Sequence, residues 1–102
     1  MSQTNTVGKH RTNVFYDEGW RKVVYHSTCV IKWNQSEIVL DSGGWQTSTT
    51  KNRINQSSNQ FNLGISLWQK DYAWFVSING DEKIEFFDGM TINRNTGEIT
   101  ND

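Results

Sequence analysis

Branching at Cβ dominates this chain: 25 of its 102 residues are Val, Ile or Thr, whereas Ala occurs once and Leu three times. Branched side chains suit the pleated surface of a sheet and lose χ1 freedom in a helix, so the chain is committed to strands over most of its length. At this length one compact core is expected and a second is not. Hydrophobic residues make up only 34% of the chain, but 13% is aromatic with five Trp, and aromatic rings bury much area per residue. So small a domain leaves much apolar surface uncovered, and self-association is the expected means of covering it.

The pattern along the chain supports a mainly β fold, a small antiparallel β-sheet or barrel-like domain with one short helix. Residues 1–12 are polar, lack periodicity and read as a flexible N-terminal arm; residues 13–102 read as a single β-rich domain. Strands are expected at Asn13 to Tyr16 and, after an Asp17-Glu18-Gly19 turn, at Trp20 to Trp33, a run long enough to bend or break. In that run Val23, Tyr25, Cys29, Ile31 and Trp33 are expected on one face, with Val24, His26, Thr28 and Val30 on the other. Asn34-Gln35 reads as a tight turn into Glu37 to Asp41. A helix over residues 51–60, capped by Thr49 or Thr50, is the one helix the pattern permits. Strand signals return at Gly64 to Gln69 and Ala73 to Asn79, joined around Lys70-Asp71-Tyr72. The Asn79-Gly80 hairpin turn, Lys83 to Phe87 and Met90 to Asn93 would complete a meander, with a last short hairpin through Asn95-Thr96-Gly97 to Ile99.

Charge and cysteine content narrow the function classes. No apolar run reaches the roughly 18 to 20 residues that span a bilayer, and no basic-then-apolar leader is visible, so membrane and secretory readings fall away. One cysteine, Cys29, permits neither a disulfide framework nor a cysteine-based zinc site within one chain, which suits a reducing cytoplasm. The net charge of −1 argues against general coating of nucleic acid, yet the charges are sorted. Residues 42–70 carry Lys51, Arg53 and Lys70 with no acid, whereas residues 71–102 hold seven acids against Lys83 and Arg94. The middle of the chain is a local positive site in an acidic molecule.

That acid-free stretch contains the most distinctive segment, Ser42-Gly43-Gly44-Trp45-Gln46-Thr47-Ser48-Thr49-Thr50-Lys51-Asn52-Arg53-Ile54-Asn55-Gln56. Paired glycines let backbone N–H groups approach a ligand, the hydroxyls of Ser42, Thr47, Ser48, Thr49 and Thr50 add donors, and a helix beginning near Lys51 would aim its amides at the same place. With Lys51 and Arg53 alongside, these are the ingredients of a phosphate or other anion site; Trp45 would stack on a base or pack over the ligand, and Asn52, Asn55 and Gln56 would read amide-like edges. The order is neither a Walker loop nor GxGxxG. A β-to-helix connection whose glycines turn tightly and whose Trp45 enters the core explains the same residues, and both readings stay open.

Catalysis has less support. His10 falls in the arm, His26 in a strand, and three positions separate His26 from Cys29, which sets them on opposite strand faces. No nucleophile, base and orienter come together, and no metal or other cofactor is expected. The carboxylates of Asp81, Glu82, Glu85 and Asp88 sit at expected hairpin turns.

The SGGWQTSTTKNRINQ string, preceded by TCVIKW and followed by YAWFVSING and IEFFDGMTI, resembles a group of small tailed-bacteriophage proteins, including those of cyanophages, that share an SGGW-x-T-x-TT-x-x-R-x-NQ segment. The resemblance spans residues 23–93 and matches at Ser42, Gly43, Gly44, Trp45, Thr47, Thr49, Thr50, Arg53, Asn55 and Gln56. It implies phage origin and brings no activity with it. What it adds is an expectation: an accessory binding protein in the cytoplasm of the infected host, its partner either an anionic nucleotide-like signal molecule that it sequesters or a host defence protein that it blocks through an acidic or aromatic surface.

Overall fold

A computed structural model describes residues 12–101 except 45, 46, 79, 81 and 82. The expected arm therefore lies outside the described residues up to position 11, while Thr12 already opens the first strand. Eight strands and one helix follow in the order β1 (Thr12–Asp17), β2 (Trp20–Tyr25), β3 (Thr28–Trp33), β4 (Glu37–Leu40), α1 (Ser48–Phe61), β5 (Ile65–Lys70), β6 (Ala73–Ile78), β7 (Lys83–Glu85) and β8 (Met90–Asn93). They form two antiparallel sheets, one of five strands in the order β1-β2-β3-β4-β8 and one of three in the order β5-β6-β7. The expected small β domain with one short helix is present; among the described residues no barrel closes.

Three details differ from the sequence expectation. The long run from Trp20 breaks at His26-Ser27, where His26 takes a positive φ of 58° and the chain reverses into β3. A register shift between Val23 and Val24 then sets Val24 opposite Cys29 and Val23 opposite Ile31. That irregularity moves Cys29 away from Val23, Ile31 and Trp33, and both Val30 and Ile31 become fully buried. Finally, β8 does not extend the second meander: it crosses to the other sheet and pairs with β4, Leu40 opposite Met90 and Ile38 opposite Ile92.

The turns follow their residues. Glu18 and Gly19, with φ of 52° and 85°, reverse β1 into β2, and Asp71 and Tyr72, with φ of 52° and 69°, reverse β5 into β6. Two successive left-handed residues match the right-handed twist of a two-residue hairpin. Gly80 also has positive φ; its expected turn partner Asn79 lies outside the described residues.

One continuous core lies between the sheets. The inward row Val23, Ile31, Trp33, Ile38, Leu40, Met90 and Ile92 of the first sheet meets Leu67, Trp74, Val76, Ile78 and Phe86 of the second, with Ile54 of α1 between them. Trp74 packs on Phe86 with ring centroids 5.4 Å apart, and Trp33 on Phe61 at 4.8 Å.

Helix α1 is an unpromising helix by composition, SSTNQ-rich and without an apolar stripe, and short helices rarely persist on propensity alone. Its ends and its buried face hold it. Thr47, extended at φ −102° and ψ 162°, is the N-cap, its hydroxyl accepting from the Thr50 N–H; Asn62 closes the other end in the left-handed region. The helix thus begins three residues earlier than expected, and the cap is Thr47, not Thr49 or Thr50. Its buried residues are Thr50, Arg53, Ile54, Gln56, Ser57 and Ser58, a helical stripe that is polar and therefore needs partners. Ser57 Oγ donates to the Arg53 carbonyl at 2.7 Å, Ser58 Oγ accepts from the Ile65 N–H at 3.0 Å, and Asn55 takes both backbone groups of Leu67 at 2.8 Å.

Candidate functional site

The segment singled out in the sequence runs from the end of β4 into α1, and much of its chemistry is already engaged inside the chain. Ser42, fully buried, donates its N–H and its hydroxyl to Asp88 Oδ1 at 2.8 and 2.7 Å. The Gly43 N–H donates to Asp41 Oδ1 at 2.6 Å and the Gly44 N–H to Ser42 Oγ at 3.2 Å. Gly43 is required for a steric reason as well: at φ 64° a Cβ would stand 2.6 Å from Thr28 Oγ1. Trp45 lies outside the described residues.

Further along, Arg53 is only 9% exposed. Its Nε donates to Thr12 Oγ1 at 2.9 Å, one terminal nitrogen donates to Gln56 Oε1 at 3.2 Å, and the guanidinium lies over the Tyr25 ring at 5.5 Å. It has no ion-pair partner among the described residues. Lys51 and Thr49 are both half-buried. Asn55 is bonded to Leu67 of β5, and Gln56 accepts from Arg53.

Such a space does exist at the start of the helix. A cleft of about 400 Å³ opens between the β2–β3 turn and α1, walled by Tyr25, His26, Ser27 and Thr28 on one side and by Thr47 and Thr50 on the other, with Val30 at its floor. Hydroxyl-bearing residues therefore stand on both walls, although Thr50 is almost wholly buried and its hydroxyl is bonded to that of Thr47 at 3.2 Å. The first helical residues, Ser48 and Thr49, carry N–H groups that an α-helix leaves without an acceptor of its own, and the positive end of the helix lies there. Behind the cleft the Tyr25 ring carries the Arg53 guanidinium, and His26 meets the same ring edge-on at 4.3 Å. Of the residues expected to bind a ligand, the structure brings Thr47 and Thr50 to this cleft. The contribution of Tyr25, Ser27 and Thr28 went unread because Trp20 to Trp33 scans as one strand; the signal was the polar His-Ser-Thr run, too poor in apolar residues for the middle of a buried strand.

A second cleft, about 540 Å³, lies at the other end of the five-stranded sheet and is lined by Tyr16, Arg21, Trp33, Gln35, Ser36 and Arg94, among others. One Arg94 terminal nitrogen donates to the Asn34 carbonyl at 2.6 Å and Arg21 covers Phe61 at 5.1 Å. Of the acidic residues singled out in the final third, Asp81 and Glu82 lie outside the described residues, Glu85 is exposed, and Asp88 is exposed with its Oδ1 bonded to Ser42.

Cys29 is half-buried, its Sγ directed at the Ile31 carbonyl at 3.5 Å, and burial pushes its thiol pKa above the ordinary value of 9.0. The thiolate is the reactive form, so alkylation by iodoacetamide at pH 8 should run about tenfold slower than for a free cysteine and become fast in urea. Equal rates in both states would show a thiol that burial does not protect. Because the folded state holds this proton harder than the unfolded chain, the associated stability is complete below the unfolded value and is lost as pH rises through the raised folded one. Among the described residues no group of three or more His, Cys, Asp or Glu could hold a metal ion, and no helix is long and apolar enough to cross a membrane.

Fold and cleft together define a small two-sheet β protein with a hydroxyl-lined pocket at the start of its helix. The chain belongs to the Kyanoviridae Gp96 protein family, whose model matches residues 1–93; it is a bacteriophage protein. No curated protein and no solved structure matches it.

Proposed function

We propose that this phage protein is a binding module that captures a small anionic, nucleotide-like ligand in the cleft at the start of α1 and holds it chemically unchanged, acting in the infected host against a nucleotide-derived defence signal. The observation that carries the reading is the cavity at the helix N-terminus, lined by Tyr25, Ser27, Thr28, Thr47 and Thr50, in which the Thr47 and Thr50 hydroxyls are bonded to each other at 3.2 Å and Ser27 and Thr28 bring further hydroxyls. Hydroxyls and helix amides donate to phosphate oxygens without themselves being charged, which suits a protein of net charge −1. The buried Arg53 behind Tyr25 adds positive potential from below, and the ring supplies a face for a base. Blocking of a host protein through acidic side chains is the lesser reading, since Asp88 is already engaged within the fold.

Titration of the labelled protein with inorganic pyrophosphate and with a 5′-phosphorylated dinucleotide, followed by amide chemical shifts, is the test. Shifts should gather at Thr28 and at Thr47 to Thr50, and Thr28→Val should weaken dinucleotide binding about three- to tenfold, the worth of one neutral hydrogen bond. Shifts confined to Arg21 and Arg94 would transfer the site to the second cleft. Hydrolysis of the dinucleotide would replace capture with catalysis, and no shift with either probe would end the reading.

A further inference from the structure

Two neighbouring rows on the core face of the five-stranded sheet end differently. One runs through Met90, Leu40, Ile31 and Val23, all without exposed surface, and is apolar to its last member, Val14. The other begins with Ile92, Ile38 and Trp33, all buried, and then turns to Arg21 and Tyr16, both exposed. A guanidinium and a phenol therefore stand where the alternation of the sheet calls for two more apolar side chains. Both line the second cleft, together with Trp33, the Asn34-Gln35-Ser36 turn and Arg94.

The wall of this cleft is held by its own bonds. Asn34 Oδ1 accepts from the Ser36 and Glu37 N–H groups, both at 2.8 Å, and the Arg94 N–H donates to the Ser36 carbonyl at 2.8 Å. The bond from Arg94 Nη1 to the Asn34 carbonyl fixes that guanidinium to the turn and leaves the rest of its planar donor set uncommitted among the described residues. Arg21 lies over the Phe61 ring, an attraction that neutralises none of its charge. The ion pair between Lys22 and Asp17 includes neither arginine. None of the described residues that line the cleft is acidic; Glu18, beside Gly19, is exposed at the turn. Covering Phe61 accounts for Arg21, and bracing the turn accounts for one nitrogen of Arg94. Neither role explains two unneutralised guanidiniums in one cleft, where like charges repel unless an anion joins them.

We propose that the second cleft is a binding site for a phosphate monoester, its dianion shared by Arg21 and Arg94 and its organic body laid along the Tyr16 ring. A carboxylate is satisfied by one guanidinium fork, whereas a phosphate dianion offers more than one charge and several acceptor oxygens, enough for donors that arrive from two strands. The cleft, about 540 Å³, has room for a small organic body beyond the phosphate itself. Tyr16, 70% exposed, supplies a ring face at low entropic cost, and the Gln35 amide adds neutral hydrogen-bonding capacity. The site lies at the opposite end of the five-stranded sheet from the α1 cleft and does not depend on it.

Titration of the full chain with phenyl phosphate, with inorganic phosphate and, as a carboxylate probe, with malonate, followed by amide chemical shifts, tests it. Phenyl phosphate should shift residues 19–21, 34–36 and 94 and bind more tightly than malonate. Arg21→Gln and Arg94→Gln should each weaken it about tenfold or more, the loss of a charge-assisted contact. Because Arg94→Gln also releases the Asn34 carbonyl, Arg94→Lys is the second variant: it keeps the charge without the fork and should retain part of the affinity. Tyr16→Ala should weaken phenyl phosphate and leave inorganic phosphate unchanged. The proposal is overturned by an absence of shifts at these residues, by an affinity indifferent to both arginine substitutions, or by malonate binding as tightly as phenyl phosphate. Shifts confined to Thr28 and Thr47 to Thr50 would overturn it and leave the α1 cleft standing, and the opposite pattern would do the reverse.

Discussion

Asn55→Ala is expected to lower the unfolding free energy by about 2 to 4 kcal/mol, a large share of what a domain of this size possesses. Asn55 Oδ1 accepts from the Leu67 N–H and Nδ2 donates to the Leu67 carbonyl, both at 2.8 Å, so one side chain substitutes for a neighbouring strand along β5. Leu67 is 3% exposed, and water has little access to the two groups that the substitution would orphan. An unsatisfied buried donor or acceptor costs about 1 to 3 kcal/mol, and two are created at once. Urea unfolding with an unchanged slope would report the loss as a change of midpoint. A loss below about 1 kcal/mol would mean that solvent replaces the amide, contrary to the geometry.

The second large effect is expected at Gly43→Ala. A Cβ there meets Thr28 Oγ1 at 2.6 Å and Cγ2 at 2.7 Å, and the backbone has φ 64°. The left-handed conformation alone costs an L-residue about 1 kcal/mol, and displacing Thr28 adds the cost of overpacking, for a total of about 2 to 3 kcal/mol. The same displacement reshapes the α1 cleft, because Thr28 is part of its wall. A double-mutant cycle with Thr28→Gly separates the contributions: removing the Thr28 side chain should relieve the clash and leave the backbone penalty. If Thr28→Gly restores nothing, the loop between β4 and α1 has moved aside and the contact with Thr28 is not what demands glycine.

Strand positions were legible wherever apolar residues alternate and a turn residue follows, as at Glu37 to Leu40, Ala73 to Ile78 and Met90 to Asn93. The partner of a strand was not. Nothing local in Met90-Thr91-Ile92-Asn93 distinguishes a fourth member of the β5–β7 meander from a strand that crosses to β4, since either choice buries Met90 and Ile92. The hairpin at His26-Ser27 was hidden because His tolerates a left-handed φ without announcing it as Gly does. At the site, the Gly-Gly-hydroxyl composition pointed to the right region, but composition could not show which donors were taken. Ser42, Gly43, Gly44, Asn55 and Gln56 are engaged by Asp88, Asp41, Ser42, Leu67 and Arg53 respectively; Thr47 and Thr50 do line the cleft, but their hydroxyls are bonded to each other and Thr47 also caps the Thr50 N–H. Arg53 illustrates the same limit: a basic residue in an acid-free stretch reads as exposed, and it is buried against Thr12 and Tyr25.

The crossing of β8 also sets the range over which the chain must close. Strands β1 to β4 pair with their sequence neighbours, and so do β5 to β7, so each group can form through short closures that are fast and entropically mild. The pairing of Leu40 with Met90 is different, because it encloses α1 and the whole second sheet in a single loop. The final strand is therefore the clasp of the fold: it ties the β1–β4 meander to residues that follow the helix and the whole second sheet, a closure over the longest loop in the topology.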